Sequence, residues 1–418
     1  MADSDWRSSL TATQRYDNIQ NLTRVLAAAG ITQSAFEIEN EAYKTAASRH
    51  KEEYDAACNP PVSKAEEDPE SPGSLPEPAV VEHAGRESSP GITIGNYPNC
   101  HYIASGVTSE VYRADVHALK VVVETHNIEP HNPHREAKIL SSLRDPDARS
   151  SLRDPNPPHI IPLLETFRDP KTQNFVLVFP YAPFTLASLL STHRPASAPL
   201  PDAVTRTIFT GLFRALSHLH ARSIIHRDIK PSALLLTTPT PTDPSQVYLS
   251  DFGTAWHPTF SPGDNTEPAH HKILDVGTGP YRAPETLFGN RSYGPPVDLW
   301  AAGVALAECF ARRPPFESRP AHEDGNQLGL VLSIFQTLGT PTPETWPEAV
   351  GFRTPPFEMY RVFDGRVASE GWQAVVPGLP SGEGSWMELV QGLLRFESAQ
   401  RVTADEALKF PYPEGIEA

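Results

Sequence analysis

The sequence predicts an α+β fold for most of the chain, preceded by a small all-α module and a linker. The first observation is the distribution of the 44 prolines among 418 residues, since none precedes Pro60 and a cluster follows it up to Pro98. The second observation is that short strand-like apolar segments come first in the large C-terminal part, and amphipathic helical segments follow. Together they divide the chain into residues 1–58, 59–94 and 95–412.

Composition and charge exclude several classes of protein. Asp and Glu total 51 against 35 Lys and Arg, so the net charge is −16, whereas nucleic-acid binding needs a basic surface. Three cysteines cannot form a disulfide framework, so we expect the reducing environment of the nucleus or cytoplasm. Apolar runs stay below the about 18 residues of a membrane span, and the N-terminus does not resemble a signal peptide. We therefore expect neither nucleic acid nor a membrane as a partner.

Residues 1–58 have the pattern of a small helical module, because apolar residues such as Ile19, Leu22 and Leu26 recur at helical spacing. The pattern resembles the fungal KIX-type domain of the Mediator tail subunit, which implies a groove for transcription-factor activation helices. A plain helical appendage is the alternative. The resemblance rests on Trp6, Arg7, Leu10, Thr11, Ile38, Glu39, Ala42, Tyr43, Ala46, Glu53 and Tyr54.

Residues 59–94 have the composition of a disordered linker. They are rich in proline, serine and acidic residues, and they hold few apolar side chains. Such a segment cannot bury enough apolar surface to offset the entropy lost on ordering. We therefore expect a flexible connection between the helical module and the large domain.

A series of short motifs follows in fixed order from residue 102 onward. Strand-like segments come first, then a helical stretch, a long amphipathic helix and four charged motifs. The charged motifs are His226-Arg227-Asp228-Ile229-Lys230, Asp251-Phe252-Gly253, Ala283-Pro284-Glu285 and Asp298-Leu299-Trp300. This ordered set resembles the eukaryotic protein kinases. The resemblance implies a bilobal fold, with a five-stranded sheet and one helix in a small lobe (about 100–180), a hinge at 180–182 and a mostly helical large lobe (183–412).

The same resemblance implies a role for each charged motif residue in phosphoryl transfer, which depends on positioning and charge neutralisation. Lys120 would hold the α- and β-phosphates of ATP, and Glu136 would hold Lys120 in place. Asp251 would bind Mg²⁺, or Mn²⁺ as an alternative. Asp228 would accept the proton of the substrate hydroxyl, while Lys230 would neutralise the transferring phosphate, which points to serine or threonine substrates. Thr278 is the third expected catalytic residue.

Further nucleotide-binding residues are implied by motif spacing in the same family. Pro180 lacks an N–H but keeps the carbonyl that adenine requires at the hinge, and Phe179 would be a bulky residue beside it. The full expected set, besides Lys120 and Glu136, is Ile103, Gly106, Val111, Ala118, Phe179, Pro180, Ala182 and Leu235.

Other segments resemble the cyclin-dependent-kinase group in particular. These are Tyr281-Arg282-Ala283-Pro284-Glu285 and the stretch from Ile334 to Pro341. Arg282 would support the activation segment in this family, and Arg401 should form a structural ion pair with Glu285.

Three departures from that group together resemble the fungal single-subunit CDK-activating kinases, and the third lies in the activation segment. The phosphate-covering loop Gly-x-Gly-x-x-Gly is reduced to Gly106, with Ala104 and Ser109 in place of the outer glycines. The segment before Glu136 lacks a cyclin-recognition signature. The resemblance implies that no obligate cyclin is needed and that the protein substrate is a cyclin-dependent kinase.

The activation segment departs as well, because Ile273 occupies the usual phosphoacceptor position. Arg227 would then need a different partner. Asp264, Glu267 or Asp275 could replace the phosphate, or Thr266 could be an acceptor out of register. A further alternative is that Arg227 faces solvent or a backbone carbonyl.

The last departure is Ala233, which stands where the family has the asparagine that binds a second Mg²⁺. Loss of this ligand should slow turnover. Lys120, Glu136, Asp228 and Asp251 all remain, which favours an active enzyme. The alternative is a pseudokinase adaptor that binds protein partners without efficient phosphotransfer.

Overall fold

The structure is a computed structural model that describes most of the chain in several ranges. These are residues 18, 22, 38, 42, 51–58, 91–106, 108–123, 129–144, 159–192, 199–261, 267–317, 326–357 and 367–411. Most of the predicted linker lies outside them, as do Asp264 and Thr266. Among the helices in these ranges, none combines the length and the apolar character that crossing a membrane requires.

Contacts within the chain define two compact units. The first comprises Met1–Asp115, Leu119–His131 and Arg168–Val176, and the second comprises Val116–Ala118, Asn132–Phe167 and Leu177–Ala418. The segment from Asn132 to Phe167 groups with the second unit. One reason is that the Asn132 N–H donates to the Gly253 carbonyl at 2.9 Å.

The described residues of the N-terminal module are helical, as the sequence predicts. Helix α1 spans Lys51–Cys58, and the isolated described residues such as Asn18 and Leu22 also have helical conformation. Tyr54, Cys58 and Leu22 are buried. The Asn18 Nδ2 atom donates to the Tyr54 hydroxyl at 3.1 Å, so two helical residues 36 positions apart in the sequence are in contact.

The first sheet has six strands, in the order β1-β2-β3-β4-β6-β5, where the sequence predicts five. The strands are β1 Ile92–Ile94, β2 Tyr97–Ser105, β3 Ser109–Ala114, β4 His117–Val122, β5 Glu165–Arg168 and β6 Phe175–Pro180. The additional strand is β1, which pairs antiparallel with β2 and takes up the last residues of the predicted linker. Gly95 has a φ of 56°. A two-residue turn that contains glycine suits the tight hairpin between β1 and β2.

Asp169 fixes this hairpin within the first unit. Its Oδ1 accepts a hydrogen bond from the Gly95 N–H at 2.9 Å. Its Oδ2 accepts from the Thr172 N–H at 2.9 Å and from the Thr172 hydroxyl at 2.7 Å. The β1–β2 turn and the turn between β5 and β6 therefore share one carboxylate.

The second unit is mainly helical and confirms the α+β class. Its helices are α2 Pro133–Ser142, α3 Leu186–Thr192, α4 Asp202–His220, α5 Pro284–Leu287, α6 Pro296–Ala311, α7 Asn326–Leu338, α8 Trp372–Val375, α9 Trp386–Leu393 and α10 Ala404–Leu408. A small antiparallel sheet joins β7 Phe184–Thr185, β8 Leu234–Leu236 and β9 Val247–Leu249, in that order.

Helix α6 forms the centre of the second unit's core. Its residues from Val297 to Phe310 are all buried, and full burial of a large apolar side chain contributes about 1.5–3 kcal/mol. Gly303 allows the close approach of α9, because a β-carbon there would lie 2.8 Å from the Leu393 Cβ. Helix α6 is therefore a rigid support for the loops that contact it.

Candidate active site

The loop between α4 and β8 meets Thr278 of the activation segment, and three polar side chains that the sequence predicts to act in catalysis lie together there. The Lys230 ammonium lies 2.7 Å from the Asp228 Oδ2. The Thr278 hydroxyl donates to the Asp228 Oδ1 at 2.7 Å and accepts from the Lys230 Nζ at 3.0 Å. A carboxylate held by an ammonium and a hydroxyl is well placed to accept a proton from an incoming alcohol.

Asp298 on α6 fixes the backbone of this loop. Its carboxylate accepts from the His226 N–H at 2.9 Å, from the Arg227 N–H at 2.7 Å and from the His220 Nε2 at 3.0 Å. Burial alone would raise the pKa of Asp298, but these donors and the histidine charges outweigh it and hold the pKa below its usual value. Arg227 has a φ of 71°, a strained conformation that the two backbone bonds maintain.

Aromatic contact joins the loop to the Asp251-Phe252-Gly253 motif. The His226 and Phe252 rings pack edge to face with centroids 4.8 Å apart. The His226 Nε2 also lies 2.9 Å from the Ser250 carbonyl, to which it donates. The catalytic loop therefore fixes the position of Ser250, the residue directly before Asp251.

Asp251 and Ala233 together determine what metal chemistry the site can hold. Asp251 is exposed and has left-handed backbone angles, φ 63° and ψ 66°. Its carboxylate supplies the oxygen ligands that Mg²⁺ prefers. Ala233 is only 1% exposed, and its methyl group offers no ligand. Its carbonyl is occupied by the Ser250 N–H at 2.9 Å and hydroxyl at 3.0 Å. Within the described ranges, the structure contains no cluster of three or more metal-ligating side chains. The residues present fit a divalent cation through Asp251.

Arg227 is paired with a carboxylate of the activation segment. Its Nη1 donates to the Glu267 Oε1 and, at 3.0 Å, to the Tyr293 hydroxyl, while its Nε donates to the Thr254 carbonyl at 2.6 Å. Arg227 and Glu267 are both buried. Of the alternatives that the sequence leaves open, the structure places Glu267 against Arg227, whereas Asp275 lies 3.3 Å from Arg282.

The expected pair of Glu285 and Arg401 is present and buried. The Arg401 Nη1 and Nη2 atoms lie 2.6 and 2.7 Å from the two carboxylate oxygens of Glu285. The guanidinium also lies 5.0 Å from the centroid of the Trp300 ring. This bidentate pair ties α5 to the C-terminal part of the second unit.

The expected nucleotide-binding residues are distributed over the two units. In the first unit, Lys120 is on β4 and the Gly106 N–H donates to the Ser109 carbonyl at 2.7 Å. In the second, Glu136 is on α2 and is buried. Their roles towards ATP remain predictions. Ile103, Val111, Lys120 and Gly106 belong to the first unit, while Ala118, Glu136, Phe179, Pro180, Ala182 and Leu235 belong to the second.

Sequence reasoning missed four residues that contact the site. Tyr293 bonds Arg227 across 66 positions of sequence, and the Lys272 ammonium lies against the rings of both Tyr293 and Trp256. Glu308 on α6 accepts from the Tyr281 hydroxyl at 2.5 Å. The acidic residue in an apolar helix is the signal that could have identified Glu308, since such residues are seldom buried without a partner.

Comparison with known proteins agrees with this geometry. A family model described as "Protein kinase domain" matches residues 98–413. Serine/threonine-protein kinase CAK1 of Saccharomyces cerevisiae is 28% identical over 291 residues, which cover 60% of this chain and 75% of CAK1. Serine/threonine-protein kinase csk1 of Schizosaccharomyces pombe is 31% identical over 257 residues, with 60% and 75% covered. Cyclin-dependent kinase 20 of Pongo abelii is 32% identical over 286 residues, with 68% and 70% covered.

The chain therefore belongs to the protein kinase family, whose members use ATP and a divalent metal ion. It is a serine/threonine kinase of the cyclin-dependent-kinase group and resembles the fungal CDK-activating kinases. The family that the ordered motifs predict is confirmed, and so is the fold class.

Proposed function

We propose that this kinase transfers the γ-phosphate of MgATP to a serine or threonine in the activation loop of a cyclin-dependent kinase. The observation that carries the reaction is the Asp228 carboxylate, 2.7 Å from both the Lys230 ammonium and the Thr278 hydroxyl. The similarity to the fungal CDK-activating kinases supports the choice of substrate. A role in cell-cycle or transcription control follows from that substrate.

In the proposed reaction, the substrate hydroxyl loses its proton to Asp228 as its oxygen bonds to the γ-phosphorus. The bond from that phosphorus to the bridging oxygen breaks, and ADP leaves. Lys230 neutralises charge on the transferring group, and Lys120 holds the remaining phosphates. Asp251 would hold the divalent cation, Mg²⁺ by preference, which when bound neutralises phosphate charge.

We infer that the enzyme needs neither a cyclin nor phosphorylation of its own activation segment. The Glu267 carboxylate supports this proposal, because it already provides the negative charge that Arg227 requires. A phosphate at this place would supply the same charge-assisted hydrogen bonds.

Ala233 is the observation that favours a second candidate, a pseudokinase adaptor. The Ala233 side chain cannot bind a metal ion, so the site lacks the asparagine that binds the second metal ion in the family. We propose that the loss reduces turnover without abolishing it. If the adaptor hypothesis is correct instead, residues 1–58 and the kinase domain would each serve to bind protein partners, the former by docking transcription-factor helices.

Phosphate incorporation into an unphosphorylated cyclin-dependent kinase tests the proposal. Purified protein is supplied with ATP and Mg²⁺, and Asp251→Ala and Ala233→Asn are assayed beside it. We expect Asp251→Ala to lose activity by at least about a hundredfold, because the cation loses its ligand, and Ala233→Asn to be faster than wild type.

Two outcomes would contradict the proposal in different ways. Equal incorporation by wild type and Asp251→Ala would rule out the enzyme and favour the adaptor. If the wild-type protein phosphorylates a generic basic peptide but no cyclin-dependent kinase, the proposed kinase activity stands and the proposed substrate is ruled out.

A further inference from the structure

Lys272 in the activation segment is buried in a way that is rare for lysine, with 4% of its surface exposed. Its ammonium donates to the carbonyls of Ala269 at 2.6 Å and Tyr293 at 2.8 Å. It also lies 4.6 Å from the centroid of the Trp256 ring and 5.3 Å from that of Tyr293. We call Lys272, Ala269, Trp256 and Tyr293 the lysine cage.

The walls of the lysine cage are bonded to the catalytic loop and its neighbours. The backbone of Trp256 pairs with that of Ile225, through N–H to carbonyl bonds of 2.8 and 3.0 Å. The Tyr293 hydroxyl accepts from Arg227, at 3.0 Å, and donates to the Ile273 carbonyl at 2.7 Å. The Lys272 ammonium contacts both rings, and Tyr293 is in turn bonded to Arg227, the residue directly before Asp228.

Glu267 fixes the opposite end of the same segment. Its carbonyl accepts from the Trp256 Nε1 at 3.0 Å, and its Oε1 accepts from the Ile273 N–H at 2.8 Å. Two buried cations, Arg227 and Lys272, thus flank one carboxylate. Burial lowers the pKa of Lys272, as does the charge of Arg227, while Glu267 opposes both.

We propose that Lys272 is a positioning residue for phosphotransfer, whose ammonium fixes residues 267–276 and thereby sets where Thr278 meets Asp228. The inference rests on the proposed function. An ammonium is compact, has three donors and is attracted to aromatic faces, so it can bind two carbonyls and two rings at once. Nothing in the family motifs assigns this residue.

The segment between the cage and Thr278 is tightly folded, so that a displacement of the cage reaches the catalytic cluster. The Val276 N–H donates to the Leu274 carbonyl at 2.9 Å. Gly277 has a φ of 80°, and a β-carbon there would lie 3.6 Å from the Arg227 carbonyl oxygen. Thr278 follows directly and bonds to Asp228.

The test compares full-length wild type with Lys272→Met, Lys272→Arg and Lys409→Met. Methionine keeps the length and apolar bulk of lysine without its charge, and arginine keeps the charge in a planar fork. Lys409 is exposed, so its variant controls for the loss of a surface charge. The readouts are kcat, KM for the protein substrate, KM for ATP, and amide hydrogen exchange of residues 267–278.

We expect Lys272→Met to raise KM for the protein substrate about tenfold, to leave KM for ATP unchanged and to speed exchange in residues 267–278. Lys272→Arg should give intermediate values, and Lys409→Met should match wild type. If Lys272→Met fails to fold, Lys272→Arg decides by the same readouts.

Unchanged KM for the protein substrate together with unchanged exchange of residues 267–278 in Lys272→Met would overturn the proposal, whether or not kcat falls, since a purely structural loss lowers only the fraction of active enzyme. If wild type transfers no phosphate, the proposed function fails first. Exchange then decides alone: faster exchange at residues 267–278 in Lys272→Met supports the positioning role, and unchanged exchange overturns it.

Discussion

Glu308 is a buried acid whose titration should be visible in stability. It lies on α6, and its carboxylate accepts from the Tyr281 hydroxyl at 2.5 Å. Burial raises the pKa of Glu308 to about 7, although the bond from Tyr281 opposes the rise. Because the folded-state pKa exceeds the unfolded value of 4.5, the contribution to stability is complete below pH 4.5 and is lost as pH rises through about 7.

We therefore expect Glu308→Gln to stabilise the protein at pH 8 relative to wild type, by up to about 3 kcal/mol more than at pH 4.5. Glutamine keeps an acceptor for Tyr281 and cannot ionise. Urea unfolding between pH 4.5 and 8 measures the effect, with exposed Glu383→Gln as the matched control. A pH dependence identical to that of wild type would show that Glu308 does not titrate in this range.

At the same scale, single residues show how far sequence patterns can predict a site. The contact of Asp228 with Lys230 follows from spacing within one motif, and the pair of Glu285 and Arg401 follows from family resemblance. The sequence does not predict that Glu267 rather than Asp275 pairs with Arg227, because this pairing depends on how a long segment folds back onto Arg227. Lys272 and Tyr293 carry no motif, and only the three-dimensional packing brings them together.

At the scale of elements, two glycines in helices have opposite consequences. A β-carbon on Gly303 of α6 would lie 2.8 Å from the Leu393 Cβ and 2.9 Å from the Leu394 Cγ, whereas one on Gly329 of α7 would meet nothing within 4 Å. The first position is set by packing against α9. At the second position, glycine only lowers helix propensity.

We expect Gly303→Ala to lower the free energy of unfolding by about 1–3 kcal/mol through overpacking. Gly329→Ala, its matched control, should raise it by about 0.5–1 kcal/mol. Chemical denaturation of both variants measures the difference. Equal stability of the two would mean that α6 and α9 can separate without cost.

The elements also show what hydrophobic pattern alone misses. The long helix α4 is evident from its spacing of apolar residues. Strand β1 is short and begins next to a proline-rich segment, so composition assigned its residues to the linker. Its pairing depends on the Gly95 turn and on the distant carboxylate of Asp169, which no local pattern reveals.

At the scale of the whole molecule, the N-terminal module should be separable from catalysis. The family match begins at residue 98, and the contacts among Asp228, Lys230 and Thr278 lie within the second unit. We expect a chain that begins at residue 59 to keep kcat and KM within about twofold of the full-length values. Steady-state kinetics and circular dichroism of both proteins test this. A shortened chain that fails to fold would place the domain boundary elsewhere.

The carboxylate beside Arg227 has a consequence for cellular control. A phosphate is added by one enzyme and removed by another, whereas Glu267 is part of the polypeptide from the moment of translation. No phosphatase can erase its charge. Under the proposed function, this position would hold no reversible switch, and the kinase output would have to be set by synthesis, degradation or access to substrate.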